Sequence, residues 1–217
     1  MSEAGPGAEA PPRFDEAFAA QFKTLLAWRR DVRRFRRDAL PEGLVETLLD
    51  QAELAPSVGY SQPWRWLRVT APEQRAAVQA SFARCNAAAL ADYEGERARL
   101  YAGLKLAGLQ EAPEQLAVFC DHGTQQGHGL GRRTMPEMLD YSVVAAITQL
   151  WLAARVQGVG LGWVSILEPD AVREALGAPS SWKLIAYLCL GWPQEAQDVP
   201  ELVRAGWERS RGSLRGW

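Results

Sequence analysis

The segment Gly158-Val159-Gly160-Leu161-Gly162-Trp163-Val164-Ser165 can be read in two ways. Its glycine spacing approaches that of a dinucleotide-binding turn, which follows a strand and opens a helix. Here the order is reversed. A helical pattern carrying Val143, Val144, Ile147, Leu150, Trp151 and Ala154 comes before it, and the apolar, strand-like run from Leu161 to Leu167 comes after. Gly158 therefore reads as the left-handed residue that ends the helix. Ser165 also lacks the Gly-x-Ser-x-Gly elbow of a hydrolase nucleophile. A doubly wound nucleotide fold and a serine hydrolase are both set aside.

Working outward, Pro136 opens the strongest helix of the chain. It is apolar around much of its circumference, which predicts deep burial, within the domain or across a subunit contact. Leu184 to Leu190 and Leu116 to Cys120 are further apolar strand-like runs, and Trp64 to Thr70 alternates into a strand. A helix is expected from Asp15 to about Arg30, with Phe18, Phe22, Leu25 and Leu26 on one face. A second helix, opened by Pro41, buries Leu44, Val45, Leu48, Leu49 and Ala52 and stops at Ala55-Pro56. An Ala-rich helical region runs from Pro72 to about Gly103, broken near Gly95, and His122 to Arg133 is a Gly-rich loop. Helices interleaved with about four strands, without an internal repeat, favour an α+β or three-layer architecture. Residues 1–14 are expected to form a disordered tail, residues 15–198 the domain, and residues 199–217 a C-terminal arm packing at a dimer interface.

Composition sets the bounds. The chain has 217 residues and a formal net charge of -2, long enough for a core without staples and giving no global reason for nucleic-acid or membrane binding. Cys85, Cys120 and Cys189 are three scattered cysteines, which argues against a disulfide framework and for a reducing compartment. The N-terminal stretch lacks the charged and apolar regions of a signal peptide, and Val143 to Ala154 is too short to span a bilayer. A cytoplasmic location is expected. Two features stand out: nine Trp, and six Arg between Arg29 and Arg37.

Arg29-Arg30-Asp31-Val32-Arg33 lies at an expected helix end. Guanidinium forks bind phosphate bidentately, and several can converge there. Asp31 opposes an anion, so it either orients the arginines or does acid-base work. The plainer alternative is a solvated basic helix end that complements the helix dipole. A second motif, Ala55-Pro56-Ser57-Val58-Gly59-Tyr60-Ser61-Gln62-Pro63-Trp64, is a stiff loop whose hydroxyls and Gln62 amide could hold a polar ring edge, or a simple helix-to-strand connection. Cys120, Asp121, His122 and His128 are near one another but follow no standard ligand spacing, so no metal is expected.

Together, these pieces resemble the nitroreductase family of flavoproteins. The residues that carry the resemblance are Arg29-Arg30-Asp31-Val32-Arg33, Ala55-Pro56-Ser57-Val58-Gly59, Gly131-Arg132 with Pro136 and Met138, Tyr141-Ser142, and Gly162-Trp163-Val164-Ser165-Ile166. It implies an α+β, three-layer sandwich with a central, mainly antiparallel sheet flanked by helices, homodimeric, with FMN at the subunit interface. Ordinary members usually carry Ser where Asp31 stands and Asn where Tyr60 stands. Both departures point to a branch that takes reduced FMN as substrate.

For that branch the resemblance implies oxygen-dependent fragmentation of reduced FMN to 5,6-dimethylbenzimidazole and erythrose 4-phosphate, supplying the lower ligand for cobalamin biosynthesis. A separate flavin reductase would supply the reduced FMN. Arg29, Arg30, Asp31, Val32 and Arg33 would hold the phosphate and ribityl chain, with Ser57 and Gly59 lining the flavin from either subunit. Asp31 and Ser165 would be the catalytic pair, and residues 91–108 a lid bringing Lys105 and Leu106 to the flavin. Such a site must exclude water, because oxygenated flavin in water decays to hydrogen peroxide. Trp64 and Trp163 would stand beside the flavin, and Trp151, Trp207 and Trp217 in core and dimer contacts. The rival on the same fold is an NAD(P)H-dependent nitro- or quinone reductase. A nucleic-acid module using the Arg cluster is the rival from another class.

Overall fold

The computed structural model describes residues 10–104 and 107–209. Four strands, β1 (Trp64–Arg68), β2 (Glu114–Asp121), β3 (Gly160–Val164) and β4 (Trp182–Gly191), form one sheet in the order β1-β2-β4-β3, with every neighbouring pair antiparallel. Helix α1 (Glu16–Trp28) starts at Asp15, whose Oδ1 accepts from the Phe18 N–H at 2.7 Å. The Pro41 turn leads into α2 (Leu44–Ala52), which buries Val45, Leu48 and Ala52. The Ala-rich region is two helices, α3 (Pro72–Ala91) and α4 (Gly95–Gly103), parted where Gly95 adopts φ +57°. Three short helices escaped the sequence reading because each is at most about two turns long: α5 (Gly108–Glu111), α7 (Pro169–Ala175) and α8 (Glu201–Arg204), with α6 (Met138–Val156) as the long helix between α5 and α7.

Alternation along the two central strands makes the layers. Leu116, Val118 and Cys120 of β2, with Ala186, Leu188 and Leu190 of β4, pack beneath α2 and α6. Their neighbours Ala117, Phe119, Tyr187 and Cys189 face the other way, with Val78 of α3 and Val172 of α7. Both faces of the sheet are therefore covered. The buried Tyr187 hydroxyl donates to Gln115 Oε1 at 2.6 Å, and Gln115 Nε2 donates to the Leu109 carbonyl at 3.0 Å.

Helix α6 ends as expected. Gly158 takes φ +74°, its N–H donates to the Arg155 carbonyl, and the Val159 N–H reaches back to Ala154. These two bonds make a Schellman cap. The inner stripe of α6 is buried through Leu139, Val143, Ala146, Ile147, Leu150, Ala153 and Ala154. Its outer face leaves Tyr141, Val144 and Val156 open, and α1 buries none of its residues. Phe14, Phe18 and Phe22 stack on one another in solvent at ring separations of 4.7 and 6.4 Å. Within one chain, the apolar face predicted for α1 is uncovered.

Past β4 the chain turns back across its own arginine block. The Arg36 N–H donates to the Trp192 carbonyl at 2.8 Å, the Gln194 N–H to the Arg34 carbonyl at 3.1 Å, and Arg30 Nε to the Asp198 carbonyl at 2.7 Å. Trp207 meets Tyr93 edge-on at 5.5 Å with Arg97 stacked over it. The segment that reads as an arm thus lies on its own chain as far as Trp207. No helix among the described residues is long and apolar enough to cross a membrane.

Candidate active site at the arginine block

The arginine block is extended, not the end of a helix. α1 stops at Trp28, and Arg29 already has φ -73° and ψ 107°. Asp31 forms a parallel bridge to Leu161, and Phe35 an antiparallel one to Pro193. The Val32 N–H donates to the Leu161 carbonyl at 3.0 Å. Glycine permits this approach. A β-carbon on Gly160 would stand 2.9 Å from Val32 Cγ2, and one on Gly162 would collide with the Val32 carbonyl oxygen. The glycines that mimic a nucleotide turn serve instead to seat the arginine block against β3.

That seating fixes Asp31. Its Oδ1 accepts from the Trp163 backbone N–H at 2.9 Å, and its Oδ2 from Arg33 Nε at 3.4 Å. Burial pushes the Asp31 carboxyl above the ordinary aspartate range and outweighs the Trp163 N–H and Arg33, which pull the other way. Beside it opens a cleft of about 380 Å³ whose wall carries Arg29, Arg30, Arg33, Arg155 and Arg204. Arg29 stacks over Trp151 at 4.7 Å, and Trp151 Nε1 donates to the Arg30 carbonyl at 3.2 Å. Burial, then the neighbouring Arg29 charge, lowers the proton affinity of Arg30. Crowded guanidinium groups of this kind suit a phosphate, which relieves their repulsion. Arg36 instead pairs with Asp38 at 3.3 Å in solvent, and Arg34 is exposed at the cleft edge.

The other expected residues divide. Ser165 follows β3 two residues beyond Trp163, exposed, and among the described residues its side chain makes no hydrogen bond. Ser57 and Gly59 stand elsewhere. The Ser57 hydroxyl accepts from the Gln62 N–H at 3.1 Å, and the Val58 N–H donates to Ser142 Oγ at 3.0 Å, near the start of α6. Gly59 has φ +56°, and a β-carbon there would lie 2.8 Å from the Leu130 carbonyl oxygen. The cleft wall contains neither residue. Ser142 and Trp151, their respective neighbours on α6, are separated by about 13 Å of helix. Lys105 and Leu106, like Trp217, lie outside the described residues. Trp64 does not line a ligand site. It is 3% exposed in the core, and its Nε1 donates to Glu53 Oε1 at 2.7 Å. Trp163 is half-buried, 6.4 Å from Trp151. Sequence reading missed Arg155, Arg204 and Glu201. Arg155 follows Trp151 by one helical turn and was open to discovery on that spacing. The other two reach the cleft only through the return of the C-terminal segment.

Among the residues weighed for metal binding, Cys120 and His122 meet Asp140, their ligand atoms all within 4.8 Å. Lys183 Nζ stands 2.6 Å from Asp140 Oδ2 and His122 Nε2 2.8 Å from its Oδ1. Burial opposes ionisation of Asp140, but these two partners prevail and hold it below the usual range. Lys183 thus sets a positive charge directly against Asp140. Asp121 is engaged by Arg65 at 2.9 Å, which leaves it no part in that cluster.

Comparison with known proteins agrees with this architecture. A 5,6-dimethylbenzimidazole synthase of Rhodospirillum rubrum is 56% identical, with the match covering 92% of this chain and 95% of the relative. One of Rhodobacter capsulatus is 47% identical over 91% and 95%. Among solved structures, oxidised iodotyrosine deiodinase bound to FMN and 3-iodo-L-tyrosine superposes with a TM-score of 0.68 at 24% identity, covering 81% of this chain and 91% of that one. Residues 26–192 match the Nitroreductase family, and the chain belongs to it.

Proposed function

We propose that this protein fragments reduced FMN with oxygen, yielding 5,6-dimethylbenzimidazole and erythrose 4-phosphate. The observation that carries this reading is a half-buried carboxylate, Asp31, set inside an arginine-walled cleft on this fold. The relatives at 56% and 47% identity, named for the same product, support it. Arg29, Arg30 and Arg33 hold the phosphate. Reduced FMN supplies the electrons for oxygen and the carbon skeleton of both products, and the pyrimidine ring of the flavin leaves as a third fragment. Asp31 Oδ2, whose one hydrogen bond among the described residues is the long Arg33 contact, takes a proton from the ribityl chain, and its raised proton affinity makes it a stronger base than an ordinary aspartate. Ser165, whose side chain has no hydrogen-bond partner among the described residues, donates a hydrogen bond toward the ring system. Residues 91–108, with Lys105 and Leu106, close over the ligand and exclude water. The functional unit is a homodimer in which Ser57 and Gly59 of one copy complete the cleft of the other. The open faces of α1 and α6 and the separation of the two half-sites along α6 support this arrangement.

The test is direct. FMN is bound, reduced without oxygen and then exposed to air, and the product is sought by absorbance and mass. Recovery of oxidised FMN and hydrogen peroxide alone overturns the reading, and steady NADPH consumption with a nitroaromatic would favour the reductase instead. Asp31→Asn is expected to lower product yield at least about a hundredfold while FMN affinity stays within a few-fold.

A further inference from the structure

Glu201 enters the arginine cleft from the far end of the chain. It opens α8, and its Oε2 lies 3.7 Å from Arg33 Nε, the same nitrogen that lies 3.4 Å from Asp31 Oδ2. Its position is set by the returning segment on either side. Arg30 Nε holds the Asp198 carbonyl at 2.7 Å, Gln194 Nε2 holds the Phe35 carbonyl at 3.0 Å, and Trp207 is wedged against Tyr93 and Tyr101. A carboxylate in a cleft built for an anion lowers affinity for that anion, so its presence has to be explained by something else it does.

We propose that Glu201 is a positioning residue, which shares the Arg33 guanidinium with Asp31 so that Arg33 orients the Asp31 carboxylate without neutralising it. This rests on the reading of Asp31 as the working carboxylate. One N–H cannot donate well to two oxygens, and both separations are long for a charged hydrogen bond. The Arg33 side chain is 13% exposed while its two carboxylate partners are 35% and 33% exposed, so water screens this shared contact in part. The groups that face Asp31 are Arg33 on its own segment, the Trp163 N–H from β3, the Cys189 thiol from β4 and Glu201 from α8. Cys189 is neutral, its thiol pushed up to about 12 by burial and then by Asp31 itself. Glu201 is the one carboxylate among these groups, and it acts in the same direction as burial, upward.

The experiment follows the Asp31 carboxyl by carbon-13 NMR in the full chain without ligand, its signal identified by loss in Asp31→Asn. In Glu201→Gln the titration midpoint is expected to fall by about half a pH unit or more, because one repelling charge is gone and Arg33 turns wholly to Asp31. FMN, followed by its fluorescence, is expected to bind that variant about two- to fivefold more tightly. Glu201→Asp, which keeps the charge, should return the midpoint toward the parent. An unchanged midpoint overturns the proposal, and weaker FMN binding with an unchanged midpoint marks Glu201 as a mere buttress, which overturns it too. Glu201→Ala gives the same comparison if Glu201→Gln does not fold. The titration needs no turnover, so a failure to form dimethylbenzimidazole would overturn the proposed reaction and leave this measurement standing.

Discussion

Replacing Gly162 by alanine tests the seating of the arginine block most severely. The new β-carbon would lie about 1 Å inside the closest approach that β-carbons make, and the obstacle is the Val32 backbone, not a flexible side chain. The 31–35 segment must therefore move off β3. Overpacking of this kind costs about 1–3 kcal/mol. Two hydrogen bonds are stretched as well: Val32 N–H to Leu161, a neutral bond, and Trp163 N–H to the Asp31 carboxylate. They are worth about 1 and about 2 kcal/mol. The sum is about 4–6 kcal/mol, a large part of an ordinary domain's stability of about 5–15 kcal/mol. At about 2–4 °C per kcal/mol for a chain of this size, Tm should fall by roughly 10 °C or more. Asp31 moves with the segment, and a displacement of about 1 Å at a reacting group can cost about a hundredfold in rate. Circular dichroism melting and product yield measure the two effects. Gly103→Ala is the control, since a β-carbon at the end of α4 meets nothing within 4 Å. It should be neutral or stabilising by up to about 1 kcal/mol. A Gly162→Ala protein that melts within about 2 °C of the parent and forms product normally would refute the steric argument.

Two more outcomes are expected. Burial raises Asp31 from an ordinary value of 3.8, so between that value and its folded pKa the folded chain binds the extra proton, and this contribution falls away as pH rises. The Tm of Asp31→Asn minus that of the parent should therefore climb from about pH 4 upward and level off above the folded pKa; a flat difference contradicts the direction of the shift. Iodoacetamide at about pH 8 should label half-buried Cys85 well before Cys120 and Cys189, which are buried with thiols pushed up by that burial. Equal labelling of Cys120 in the folded chain, seen by peptide mass, would contradict its placement.

Periodicity carried the fold well where elements are long. The stripe of α6, the Pro41 helix and the apolar strands were legible because each repeats its signal several times. The short helices α5, α7 and α8 span at most about two turns, too few to repeat an apolar signal, and propensity alone does not separate them from loop. The arginine block was legible as chemistry but not as conformation. Its residues suit a helix end, and only the docking of Val32 on Gly160 and Gly162 makes them extended. Trp64 illustrates the converse, since its place in a motif loop suggested a ligand wall while Glu53 and the core claim it.

By itself the sequence determined the order of the long elements, the Schellman end of α6 at Gly158, and the presence of an aspartate among phosphate-binding residue types. These are local properties, written in spacing and in the conformational freedom of single residues. Tertiary structure decided that Asp31 is half-buried and bonded to the Trp163 N–H, that Arg155, Arg204 and Glu201 join its cleft, and that Ser57 and Gly59 do not. Those outcomes depend on segments more than a hundred residues apart meeting at fixed distances, as Arg30 meets Asp198. A carboxylate's proton affinity follows from what surrounds it in space, and no run of neighbouring letters states that.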